Sequence, residues 1–159
     1  MRTVTTTEFT RHGSRQTDSP VADSEPLHLR KQRVLKELRE LGATSYGLSK
    51  SEAKYLPLLI HPGEHIKGVI YGHNTEGFVM VVATEIRMLY LDKKPLFVKT
   101  DELAYNIVSG VSYSFAGFFA SVTIHTRIGD YKIGLINNRC ARNFVQYIEQ
   151  HCLENGAGA

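Results

Sequence analysis

Between Glu64 and Ile136 apolar and polar residues alternate in short runs, whereas on either side of that stretch the apolar positions recur every three or four residues. The runs HIKGVIYGH, GFVMVVAT, IRMLYL, LFVKT, LAYNIVSGVSYSF, SVTIHT and YKIGLI predict seven strands, with Ile66 and Val69 or Ile70 facing inward in the first. They are joined by NTEG, by the turn Asp92, Lys93, Lys94, Pro95, and by the Gly-containing segments FAGFFA and RIGD. Parallel strands need long crossovers, so connections this short predict an antiparallel barrel or sandwich.

The flanking periods are helical. In LHLRKQRVLKELRELG, Leu27, Val34, Leu35, Leu38 and Leu41 fall on one side of a helix that Gly42 is placed to end. The opposite side carries Arg30, Lys31, Arg33, Lys36 and Arg39. A second helix is expected in KSEAKYLPLLI, where Ser49 and Glu52 have the spacing of a capping box and Pro57 puts the second half in doubt. After Ile136, Asn137 or Asn138 can cap a third helix whose stripe is Ala141, Phe144, Val145, Ile148 and Cys152. One helix following seven strands has an obvious use as the plug of the open barrel end.

Residues 1–26 show no period and little apolar surface, and are expected to be a flexible tail. The expected division is this tail, a helical segment over 27–60, a strand-rich domain over 61–154 and a flexible C-terminus over 155–159. The chain has 159 residues, and no apolar run approaches the roughly 20 needed to span a bilayer, so a cytoplasmic protein is expected. Cys140 and Cys152 are 12 residues apart on one predicted helix, about 18 Å along its axis, too far to pair with each other.

The net charge of +3 is concentrated rather than spread. Residues 27–42 carry five basic against two acidic side chains, while residues 43–159 carry eleven against ten. A broad electrostatic footprint for nucleic acid is therefore absent from the strand region. For the basic side of the first helix three readings stand: a solvated face on a docked or self-associating helix, a membrane-surface helix, and a nucleic-acid contact.

LLIHPGEHIKGVIYG, VVATEIRMLYLD, LAYNIVSGVSYS and FVQYIEQ occur in order over about Tyr55 to Cys152 and resemble the bacterial pleckstrin-homology-like family, YokE-like branch. The family's marks correspond here to Gly63 and Glu64, to Thr84 and Arg87, and to Tyr105 with Ile107 and Val108. The resemblance implies a seven-stranded antiparallel barrel capped by a C-terminal helix, with Thr84 and Arg87 as fold signatures. Phosphoinositide-gripping relatives use basic residues around the first hairpin. The tip here is His73, Asn74, Thr75, Glu76 and Gly77, without Lys or Arg, so lipid binding does not carry over.

Candidate chemistry is sparse. HPGEH brings His61, Glu64 and His65 close in sequence, but Pro62 and Gly63 break any helix that could align them, and a polar linker is the expected reading. No nucleophile motif or phosphate-cradling loop is visible, so no catalytic residue, metal, cofactor or small-molecule substrate is assigned. Lys93, Lys94 and Arg127 are a candidate weak anion contact, with ordinary solvated turn residues as the plainer account. Phe115, Phe118 and Phe119 crowd around Gly117 at a predicted turn and are a candidate partner surface. They are expected to pack on the barrel wall or the first helix, or to meet a second subunit. The sequence thus reads as a noncatalytic binding or scaffolding module mediating protein–protein contact or self-association; the alternative is peripheral membrane or anionic-lipid binding through the basic N-terminal helix.

Overall fold

The computed structural model describes residues 25–156, so the tail expected over 1–26 lies outside the described residues except for Glu25 and Pro26. Three helices come first: α1 Leu27–Glu40, α2 Ser45–Leu48 and α3 Ser51–Leu59. Strands β1 Ile66–Asn74, β2 Gly77–Thr84, β3 Met88–Lys93 and β4 Val98–Leu103 follow. A short 3₁₀ turn at Tyr105–Ile107 leads into β5 Val108–Ala116, β6 Phe119–Thr126, β7 Gly129–Asn137 and the final helix α4 Asn138–Gly156. Among the described residues, no helix is long and apolar enough to cross a membrane.

The seven strands form one antiparallel sheet in the order β4-β3-β2-β1-β7-β6-β5, as the alternation predicts. Its two halves meet at His73 of β1 and Gly134 of β7, where a Cβ on Gly72 would come within 2.1 Å of the Gly134 carbonyl oxygen. Only glycine lets the two backbones cross this closely. The sheet folds back on itself: the Tyr131 hydroxyl of β7 donates to Asp101 of β4 at 3.2 Å. Among the described residues no ladder joins β4 to β5, so these two are the edges of a partly open barrel.

Helix α4 caps the barrel end. Asn137 is its cap, its side-chain oxygen accepting the Arg139 N–H at 2.9 Å. The predicted stripe is the buried one: Ala141, Phe144, Val145 and Ile148 are buried with Cys140, while Cys152 is half-buried. Gly68 of β1 admits the helix, since a Cβ there would meet the Phe144 ring at 3.2 Å.

The strict alternation expected of β1 does not hold. From Gly68 to Gly72 every residue is buried, as are Val79–Thr84 and Met88–Asp92. The cause is the N-terminal helices, which lie over the outer face of this half of the sheet and bury Val34, Leu38, Ala53, Leu56 and Ile60. A strand covered on both faces has no polar side to show.

Three local expectations are corrected. Ser49 and Glu52 form no capping box: Ser49 donates to the Tyr46 carbonyl, and buried Glu52 accepts the backbone N–H of Lys93 at 2.9 Å. Tertiary packing has taken the carboxylate that local spacing assigned to the helix end. Pro57 lies inside α3, which runs on to Leu59. The basic side of α1 is not a continuous solvated face, because Arg33 is bound to Glu25 at 2.9 Å and to the Glu64 carbonyl at 2.7 Å, and Arg30 donates to the Ile60 carbonyl. Both guanidinium groups clip α1 to the linker that enters β1.

Candidate functional site

The densest polar cluster is built from the residues that marked the fold in the sequence. Glu64 lies in the α3–β1 linker, Thr84 ends β2, and Arg87 precedes β3. The Arg87 guanidinium donates to Glu64 at 2.9 and 3.0 Å, to Glu102 of β4 at 2.8 Å and to the Leu59 carbonyl at 2.8 Å. The Thr84 hydroxyl donates to Glu64 at 2.8 Å, and the hydroxyls of Tyr105 and Tyr147 both donate to the Thr84 carbonyl. Burial pushes the Glu64 carboxyl up, but Arg87, the His61 N–H and Thr84 together bring it below the ordinary carboxylate value. Its lone pairs are occupied by donors. The cluster is a lock between linker, sheet and α4, not a poised base.

The histidines of HPGEH part company. His61 lies beside Glu64, with Nδ1 at 3.7 Å from the carboxylate, while His65 turns to Glu37 of α1 at 2.6 Å. Among the described residues no group of three or more His, Cys, Asp or Glu is arranged to hold a metal ion.

The candidate cations diverge as well. Lys94 is engaged internally, 2.7 Å from buried Asp92 and donating to the Phe78 carbonyl, whereas Lys93 reaches toward the Tyr55 ring. Arg127 is exposed in the β6–β7 turn. Beside them the β3–β4 turn presents Leu96 and Phe97 to solvent, a feature the sequence reading passed over. An open polar cleft of about 680 Å³ lies where β1 and β7 separate, bordered by His73, Asn74, Thr123, Asp130 and Lys132.

The aromatic hairpin is a second place where large apolar side chains face solvent. Phe118 at its tip is 89% exposed, Phe119 51% and Phe115 39%. Helix α1 packs on α3 and β1, so the first helix does not cover these rings. The Asn138 side chain donates to the Gly117 carbonyl at 3.1 Å and ties the tip to the head of α4. Register divides the three rings: Phe115 opposes Ala120 and shares its face with Tyr113, while Phe119 opposes Ala116 on the other face. Tyr113, 48% exposed, meets Phe115 edge-on at 5.5 Å, and Arg142 of α4 lies over the Phe115 ring. Sequence reasoning missed Tyr113, although its spacing of two from Phe115 was the signal.

No curated protein matches the chain. Among solved structures it is similar to a DUF1696 family protein with a pleckstrin-homology domain from Shewanella loihica PV-4, at 17% identity. That likeness covers 64% of this chain and 90% of the other, with a TM-score of 0.35. The bacterial PH domain model matches residues 60–150, a span that includes every strand and most of α4, and it names no branch within the family. The chain belongs to the bacterial PH domain family.

Proposed function

We propose that this chain is a noncatalytic protein-contact module, with its binding unit at 61–154 and the helices of 27–60 fastened to it, and that it associates with itself through the β5–β6 hairpin. Membership of a PH domain family supports a binding module in general. The observation that carries the finer reading is the hairpin itself, where Phe118 is 89% exposed on a turn held to α4 by Asn138. Aromatic rings on a fixed tip bring large apolar area at little entropic cost, and a few such rings dominate many interfaces. A solvated turn has no use for three of them.

The lipid alternative rested on the basic side of α1, and Arg30 and Arg33 now have protein partners there. The free thiols suit a reducing compartment such as the cytoplasm. The test is the double variant Phe118→Ser with Phe119→Ser, compared with the wild type by light scattering for mass and circular dichroism for folding. The proposal expects a folded variant of lower mass than the wild type. A folded variant of unchanged mass removes the hairpin as the contact.

A further inference from the structure

The two edges of the sheet are unlike. β4, VKTDEL, carries Lys99, Asp101 and Glu102, the kind of charge with which natural edge strands discourage pairing. β5, VSGVSYSFA, has no charged residue and no proline along its length. Its ladder with β6 is irregular only between Val108 and Gly110, so the strand is regular from Val111 to Ala116. In an antiparallel ladder every second residue turns its N–H and C=O away from the partner. Among the described residues, none of the backbone hydrogen bonds outside helices and ladders involves residues 109–116. Among the described residues, β5 therefore offers an open row of donors and acceptors on a strand that carries no charge of its own.

We infer that β5 pairs antiparallel with β5 of a second copy of this chain across a two-fold axis, joining the two sheets edge to edge. The inference rests on the self-association proposed above and names its geometry. A two-fold axis sets each residue opposite the position equally far beyond the axis, so only the residue on the axis meets its own copy; β5, with no charge along its length, brings no like charges together in any register. The side chains fit the same arrangement. Val111, Tyr113 and Phe115 share one face and look across to Val145, Ile148 and Cys152 of α4 over shallow cavities of about 390 and 260 Å³. Glu149 borders both cavities and Arg142 and Gln146 one of them, so the strip is apolar toward β5 with a polar margin on α4; a neighbouring β5 sets its own Tyr113 and Phe115 along its apolar side and draws the exposed rings out of water.

The experiment uses the full chain carrying Cys152→Ser, with buried Cys140 retained. Single cysteines are placed in turn at positions 111 to 115 of β5, with Thr100→Cys on β4 as control, and oxidised with diamide. A covalent dimer from a β5 position and none from Thr100→Cys is the expected result. In parallel, exposed Ser114 is changed to Lys, which should give a folded monomer where the wild type is a dimer. If the wild type is a dimer that Phe118→Ser with Phe119→Ser dissociates, yet no β5 cysteine cross-links and Ser114→Lys keeps the dimer, strand pairing is overturned while the hairpin contact stands. A wild type that is monomeric throughout overturns both. Should Ser114→Lys fail to fold, the cysteine series alone decides.

Discussion

The Glu64 carboxylate and the Arg87 guanidinium, 23 residues apart in the chain, meet at 2.9 Å inside the protein, and the Thr84 hydroxyl donates to the same carboxylate. Both charged side chains are nearly closed to solvent, at 2% and 10% exposure. Removing one member of such a pair leaves the other buried without its counter-charge. Arg87→Met is expected to lower the unfolding free energy by about 3–5 kcal/mol in urea titrations. A loss below about 1 kcal/mol would show that the pair is as weak as a surface bridge.

The same pair has a pH signature. Burial raises the Glu64 carboxyl, but its donors outweigh burial and set it below the ordinary value of 4.5. A carboxylate depressed in the folded state contributes stability that is complete above the unfolded value and disappears as pH falls through the folded one. The wild type should therefore lose stability as pH drops below 4.5, and Glu64→Gln, which is less stable at neutral pH, should lose less over that range. Parallel curves for the two proteins in acid would contradict this.

Phe144 is fully buried between α4 and Gly68 of β1. Phe144→Ala is expected to cost about 3–5 kcal/mol, enough to bring many small domains close to unfolding. Chemical denaturation reads the change, and near-wild-type stability would mean that α4 is not the barrel's plug.

The two thiols should behave differently. Cys140 is buried, and burial pushes its thiol up to about 11; half-buried Cys152 borders a cavity beside β5. At neutral pH a thiol reagent should modify Cys152 first and reach Cys140 only when the protein unfolds. Equal rates in the native state would contradict the burial of Cys140.

What the sequence made legible was whatever depends on neighbours in the chain. The period of two gave the strands, Asn137 announced α4, and Phe144 with Ile148 announced its buried side. Partners distant in sequence were not legible. Thr84 and Arg87 could be recognised as marks of a fold, but not that Glu64 joins them, and Glu52 looked like a local cap while its carboxylate goes to Lys93 on another element. On the charged side of α1, Lys31, Lys36 and Arg39 are exposed as a solvated face on a docked helix requires, but the distant acceptors of Arg30 and Arg33, which include Ile60 and Glu64, were not legible. For the candidate surface, the crowding of Phe115, Phe118 and Phe119 was visible, but strand order alone reveals that β5 is an edge.

The central claim, that the module associates with itself, is tested most directly by the mass of the full chain in solution, measured by light scattering across a wide range of concentration. The account predicts a reversible species of twice the single-chain mass, growing with concentration. A single-chain mass at every concentration, from a folded protein, would contradict it.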